Sequence, residues 1–511
     1  MERMSTLDAG FYFLENENTP MHVGSVSVFE GPAPSYGDVV RLLVSKLPKV
    51  PRYRQRVRAV PLHIGRPAWV DDEHFEILYH VRHTAVPRPG GAEQLRNLAG
   101  RVFAQRLDMD KPLWELWFVE GLDDDRWAVI SKVHHCMIDG VAGWDLAALL
   151  LDTSPDAEHP PTPDGWSPRP APSTPRLWLE GLRDAFGAPL QQLGRVPELA
   201  RSALNPGRLL AFSRGLPGTA RSLGGATARS LNGSRGPHRR WEWTQASLDE
   251  VKQIRTALGG TVNDVVLAAV TRGFRDLLAS RGELAEGQLV RSLVPVSVRG
   301  KQEQGVLNNR VSALLVNLPV GESDPQRRLA RLREQMDNLK ETRQAVGAQA
   351  LSELAGFAAP TLLALGSRVA YRVPQPVTQT VTTNVPGPRF PLFMLGRRMT
   401  EIRPYIPIAA NIRTAVGILS YLDQLNFGVT GDFDAVPDVG VLAGGIRAGV
   451  DELLVVAGKS APAPANAAVV KDAVVKDAVT KKAVAKKVVA KKAARKTAVT
   501  PPAGSPGPRE S

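Results

Sequence analysis

Apolar and polar positions alternate along this chain in two rhythms, one with a period near two and one near 3.6, and the two rhythms take turns. HVGSVSVFEG (22–31) has the first rhythm and predicts a strand, while residues 38–47 and 92–106 have the second and predict helices. Between these helices, Pro48 and Pro51 with Arg52, Arg54, Arg56 and Arg58 read as a basic turn. KPLWELWFVEG (111–121) predicts an apolar strand whose Trp114 and Trp117 belong to a core. A further strand starts at Trp127, with Val129, Ser131, Val133 and His135 on one alternating set, and a helix is expected over 141–152.

A proline-crowded stretch, 152–175, breaks the pattern and reads as a linker, because proline continues neither a helix nor a central strand. Residues 176–240 carry apolar positions at helical spacing among many arginines, suited to covering a core or lying on a membrane surface. The pattern resumes near Trp241. Thr261 and Asp264 have capping-box spacing at the head of a long helix, and Gly282 is placed to stop it. Strands are expected over 289–298 and 311–318, a charged helix over 325–343, and a β-branched strand in VTQTVTTNVPGP (377–388). A hairpin of 414–421 and 425–430, turning through Asp423 and Gln424, precedes a closing helix over 439–456. Interleaved strands and helices in both halves predict an α/β architecture. The divisions are 1–151, a 152–240 linker with basic helices, 241–458, and a 459–511 tail.

Composition changes this picture in few places. The 511 residues suffice for two domains of roughly 200 residues each. The first twenty residues lack a signal peptide's basic start and apolar core, and no uninterrupted apolar run suggests a membrane span. The single cysteine, Cys136, excludes an internal disulfide, and the nine histidines include no HExxH, so no metal is expected. Of the net charge of +13, the tail supplies +9, from twelve basic against three acidic side chains. Its pentads, VVKDA, VVKDA, VTKKA, VAKKV and VAKKA, would advance about 500° per repeat on a helix, so the lysines form no single face. The tail therefore reads as disordered and solvated, with anionic lipid or nucleic acid as its natural contacts.

The chemistry concentrates in HHCMIDG (134–140). Strand neighbours point to opposite faces, so only one of His134 and His135 can face a given cavity, and alternation alone does not choose between them. A neutral imidazole there would take a proton from a hydroxyl near neutral pH.

The HHxxxDG string resembles that of the chloramphenicol acetyltransferase and condensation-domain superfamily. More narrowly, LDAGFYFLE (7–15), PLWELW (112–117), TVNDVVLA (261–268), LVPVSVR (293–299), NNRVS (308–312) and NVPGP (384–388) resemble, in order, the blocks of the bacterial wax ester synthase/diacylglycerol acyltransferase family. The resemblance implies two chloramphenicol-acetyltransferase-like domains with mixed sheets and an active-site tunnel between them. It implies transfer of a long-chain acyl group from the co-substrate acyl-CoA to diacylglycerol, and also to long-chain alcohols, with no permanently bound cofactor. It assigns the general base to His135, with His134, Asp139 and Gly140 shaping the motif. Asn263 becomes a candidate to bond the acyl donor or acceptor, and Thr383 a candidate oxyanion donor. Asn308 stands where the family pattern has glycine. The implied location is cytoplasmic, peripheral to the inner face of the cell membrane or to lipid inclusions.

Two alternatives stay open at this stage. One keeps the fold but acylates a polyketide or peptide-type acceptor; the other is a non-catalytic lipid-body or nucleoid-associated protein working through its basic tail. Deleting residues 459–511 separates them: acyl transfer survives the deletion if the protein is an enzyme, and the function disappears with the tail if it is not.

Overall fold

The computed structural model describes residues 2–61, 65–137, 151–159, 165–193, 228–297, 311–341, 378–409 and 411–460. The first half runs β1 (Glu2–Arg3), α1 (Thr6–Leu14), β2 (His22–Phe29), α2 (Tyr36–Lys46), β3 (Gln55–Arg58), β4 (Ala68–Asp71), α3 (Ile77–His80), β5 (Val81–Ala85), α4 (Ala92–Ala104), β6 (Trp114–Leu122) and β7 (Arg126–His134). Helix α5 (Thr174–Leu193) leads to the second half: β8 (Arg239–Ser247), α6 (Leu248–Leu258), α7 (Val262–Ser280), β9 (Val290–Ser297), β10 (Val311–Leu318) and α8 (Pro325–Glu341). Then come β11 (Thr380–Val385), β12 (Phe393–Met394), β13 (Arg397–Tyr405), β14 (Thr414–Tyr421), β15 (Gln424–Asp432) and α9 (Val439–Ser460).

Helix starts follow the local chemistry. Ser35 caps α2 by accepting the Asp38 N–H, and Thr261 caps α7 while Asp264 reaches back to the Thr261 N–H at 2.8 Å. Helix α7 stops where Gly282 takes a left-handed φ of +67°. It is apolar almost all round, from Val265 through Val270 and on to Phe274, Leu277 and Leu278, because it is buried in the second core. Each such fully buried large side chain contributes roughly 1.5–3 kcal/mol.

Two mixed six-stranded sheets organise these elements. The second has the order β10-β9-β11-β14-β15-β8, with β11 parallel to both β9 and β14. The first has the order β12-β13-β2-β7-β6-β5. Sequence assigned all of 241–458 to the second half, yet β12 and β13 lie in the first sheet, where β13 pairs antiparallel with β2. Strand β13 reads RRMTEIRPY, with scattered charges and no clean alternation; Arg403 is buried under Trp243 and paired to Glu401, so its charges serve contacts between the halves. The hairpin turns at Leu422 and Asp423, and Gln424 is already paired with Tyr421. The expected helix over 141–152 lies outside the described residues up to 150; of its last two residues, neither helical, Asp152 bridges to Phe393. The tail lies outside them from 461 on, its first two residues, Lys459 and Ser460, ending α9.

The return of β13 to the second half is tight. Trp241 Nε1 donates to the Pro404 carbonyl at 3.1 Å, and a Cβ at Gly428 would overlap that same carbonyl oxygen. Gly428→Ala should therefore cost about 1–3 kcal/mol by forced overpacking. A lowered denaturation midpoint relative to the parent checks this, and an unchanged midpoint contradicts it.

Candidate active site

Strand β7 ends at His134, whose N–H donates to the Leu113 carbonyl at 2.9 Å. The chain then tightens into a 3-10 turn, His135–Met137, because Cys136 and Met137 bury themselves in the core that also holds Phe13. His135 therefore sits just past the strand end rather than within it, as the alternation had suggested. Its N–H donates to the Met21 carbonyl at 2.8 Å, and its ring stacks on Phe11 of α1 at 3.9 Å between centroids.

The two histidines have opposite surroundings. His134 is 1% exposed, and its Nδ1 accepts the Cys136 N–H at 3.1 Å, so its own proton sits on Nε2, facing Glu15 Oε2 at 3.6 Å. Its strand neighbour His22 is equally buried and donates from Nε2 to the Phe103 carbonyl at 2.9 Å. His135 is half-buried with Nδ1 sealed from solvent and without a hydrogen bond to another residue. Burial pulls its pKa down from 6.5 to about 4; its own backbone opposes this and His134 reinforces it. The imidazole is therefore neutral at physiological pH, as a proton acceptor has to be.

Charges close by are paired. Lys132, fully buried on the same strand, donates to the Gln105 carbonyl at 2.7 Å and lies 3.2 Å from Glu115. Glu15 takes Arg106 Nε on Oε1 at 2.9 Å and the Met21 N–H on Oε2. Burial alone would raise the Glu15 pKa, but His134, Arg106 and Met21 together hold it below the usual value.

The second half brings further groups. Asn263, in the first turn of α7, accepts from Asn384 Nδ2 at 3.3 Å, so the TVNDVVLA and NVPGP blocks meet side chain to side chain. Asn384 was not singled out by sequence; its signal was its place at the head of NVPGP. Thr383, its neighbour on β11, pairs in register with Gly417 and lies on the opposite face. That face also carries Val385, which packs against the cluster containing Cys136 and Met137. Among the described residues no hydrogen bond joins His135 to Asn263 or Thr383. Asp139, Gly140, Asn308 and Asn309 lie outside the described residues. Among those residues, no group of three or more His, Cys, Asp or Glu side chains is placed to hold a metal ion.

Comparison with known proteins decides what this arrangement belongs to. The family model for the wax ester synthase/diacylglycerol acyltransferase catalytic domain matches residues 4–266, and that for the WS/DGAT C-terminal domain matches residues 307–453. The chain belongs to the wax ester synthase/diacylglycerol acyltransferase family. A probable diacylglycerol O-acyltransferase of Mycobacterium tuberculosis is 36% identical over 475 residues, covering 89% of this chain and 96% of that protein. The wax ester synthase/diacylglycerol acyltransferase of Marinobacter aquaeolei VT8 superposes with a TM-score of 0.63 at 26% identity, covering 90% of this chain and all of the other. The first condensation domain of the calcium-dependent antibiotic synthetase shares the fold, with a TM-score of 0.56 at 17% identity over 90% of this chain and 97% of that one. The fold is thus the two-domain mixed α/β arrangement of the condensation-type acyltransferases, as the motif resemblance implied.

Within this family site Cys136 is inert. It is 3% exposed, and burial pushes its thiol well above the ordinary cysteine value, so no thiolate forms beside His135. A disulfide reagent at pH 8 should label the native protein at least about a hundredfold more slowly than the unfolded chain, because only unfolding exposes the thiol to ionise. Equal labelling rates in a stopped-flow assay would contradict the burial.

Proposed function

We infer that this protein transfers an acyl group from acyl-CoA to the hydroxyl of diacylglycerol, forming triacylglycerol, with His135 as general base. One observation carries the reading: in the part of the chain matched to the family's catalytic domain, His135 is a desolvated, neutral imidazole whose nitrogens no side chain among the described residues engages. With Nδ1 sealed, Nε2 is the atom that takes the hydroxyl proton as the oxygen attacks the thioester carbonyl. The tetrahedral intermediate then expels the coenzyme A thiolate, which recovers that proton from His135. The thioester is already activated, so no acyl-enzyme is needed, and the buried, protonated Cys136 offers no nucleophile for one.

The negative oxygen of the intermediate calls for a fixed donor. Thr383 suits this role by standing on the face of β11 that turns toward the cluster holding Cys136 and Met137. The Asn263–Asn384 pair suits binding of the donor or acceptor. Both substrates carry acyl chains and the product is a lipid, which favours a lipid surface as the working location. No described helix is long and apolar enough to cross a membrane, so the attachment we propose is peripheral.

Purified protein given labelled acyl-CoA with diacylglycerol and, separately, a long-chain alcohol should form triacylglycerol faster than wax ester. His135→Ala should lower kcat by about a thousandfold, the scale of general-base catalysis. Full activity in that variant would sink the mechanism, and faster wax ester formation would replace the acceptor. The same assay reads the base's protonation. An imidazole titrating at about 4 is already in its base form at pH 5, so kcat/KM should not fall between pH 7 and pH 5 through His135. A limb centred near 6.5 would show an ordinary, solvated histidine instead.

A further inference from the structure

We propose that Glu15 is the positioning residue for His135, holding it through the two backbone amides that open its turn; this rests on the reading of His135 as the base. The first amide is that of His135, which donates to the Met21 carbonyl at 2.8 Å, while the Met21 N–H donates to Glu15 Oε2. The second is that of Cys136, which donates to His134 Nδ1 at 3.1 Å. A backbone amide can only donate, so Nδ1 carries no proton, and the ring N–H at Nε2 faces Glu15 Oε2 at 3.6 Å. Both routes from the catalytic turn converge on a single carboxylate oxygen.

The other oxygen has a separate task. Oε1 accepts from Arg106 Nε, and the Arg106 side chain is 38% exposed against 3% for Glu15. Water can serve an arginine that open, so neutralising Arg106 does not by itself require a buried carboxylate with Oε2 turned to the site. The segment between Glu15 and Met21 is also held from the second half: Arg239 Nη2 donates to the Asn18 carbonyl at 2.7 Å and Arg235 Nη2 to Thr19 Oγ1 at 3.0 Å. The carboxylate is thus anchored at the end of a braced loop. A displacement of about 1 Å in a catalytic group can cost on the order of a hundredfold in rate, which sets the scale of the effect.

A carboxamide at this position presents a donor to one of its two sides, either to Arg106 or to Met21 and His134. Glu15→Gln should therefore lower kcat ten- to a hundredfold while the KM for acyl-CoA stays within about twofold. Arg106→Gln, which disturbs only Oε1, should lower kcat by less than about threefold. In a His135→Ala background, Glu15→Gln should change the residual rate by less than about twofold, because it acts through the missing imidazole. Circular dichroism and Tm are recorded for each variant. Glu15→Asp, which keeps the charge but withdraws it by one methylene, is measured in parallel and should show the same loss of kcat at constant KM. It carries the test if the Gln variant does not fold. Equal losses from Arg106→Gln and Glu15→Gln, or an undiminished effect of Glu15→Gln in the His135→Ala background, would overturn the proposal. Parental kcat in Glu15→Gln beside an inactive His135→Ala overturns the positioning role alone, whereas a fully active His135→Ala removes the base and this proposal together.

Discussion

Because β7 is covered on both faces, its side chains answer to two interiors at once. Trp127, Val129 and Val133 enter the cluster shared with α1 and α2, while Ala128 and Ile130 enter the one lined by α4, with Lys132 and His134 continuing the second face. A slip of one residue would turn Lys132 and His134 toward the wrong interior, away from Glu115 and Glu15, and several kcal/mol attach to each buried charge left unpaired. Register is thereby specified, and with it the point where the strand ends and His135 begins its turn.

The same burial has opposite consequences for neighbouring groups. Lys132 and Glu15 keep their charges because partners meet them at hydrogen-bonding or near-hydrogen-bonding distance. His135 has no such partner among the described residues, and desolvation, the largest influence on it, leaves a neutral imidazole. For Cys136 desolvation favours the protonated thiol. At two consecutive positions one physical term thus yields an unprotonated imidazole and an inert cysteine.

The halves are joined by more than contact. Strand β13 pairs with β2, the neighbour of β7, and Trp241 of the second sheet bonds back to Pro404 at its end. The site strand, its partner and a strand from the second half are therefore consecutive in one hydrogen-bonded sheet. Relative movement of the halves would have to break that ladder, which suits the proposed reaction, in which two substrates meet at one fixed imidazole.

Sequence by itself determined most of the local structure. Period-two and period-3.6 patterning located β2, β6, β7, α2, α4, α7, β9, β10, α8, β11, β14, β15 and α9, since burial of one face is written directly into spacing. Capping chemistry marked the start of α7, and the ordered blocks named the family. Tertiary structure alone decided the rest. The placement of β13 in the first sheet depends on a partner 370 residues away in numbering, Met399 opposite Phe29, and its charged sequence carries no apolar alternation to announce it. Glu15 was legible only as the last letter of a block. That its carboxylate reaches Met21, His134 and Arg106 follows from how β2, β7 and α4 are stacked, and spacing along the chain cannot encode a contact made across three elements.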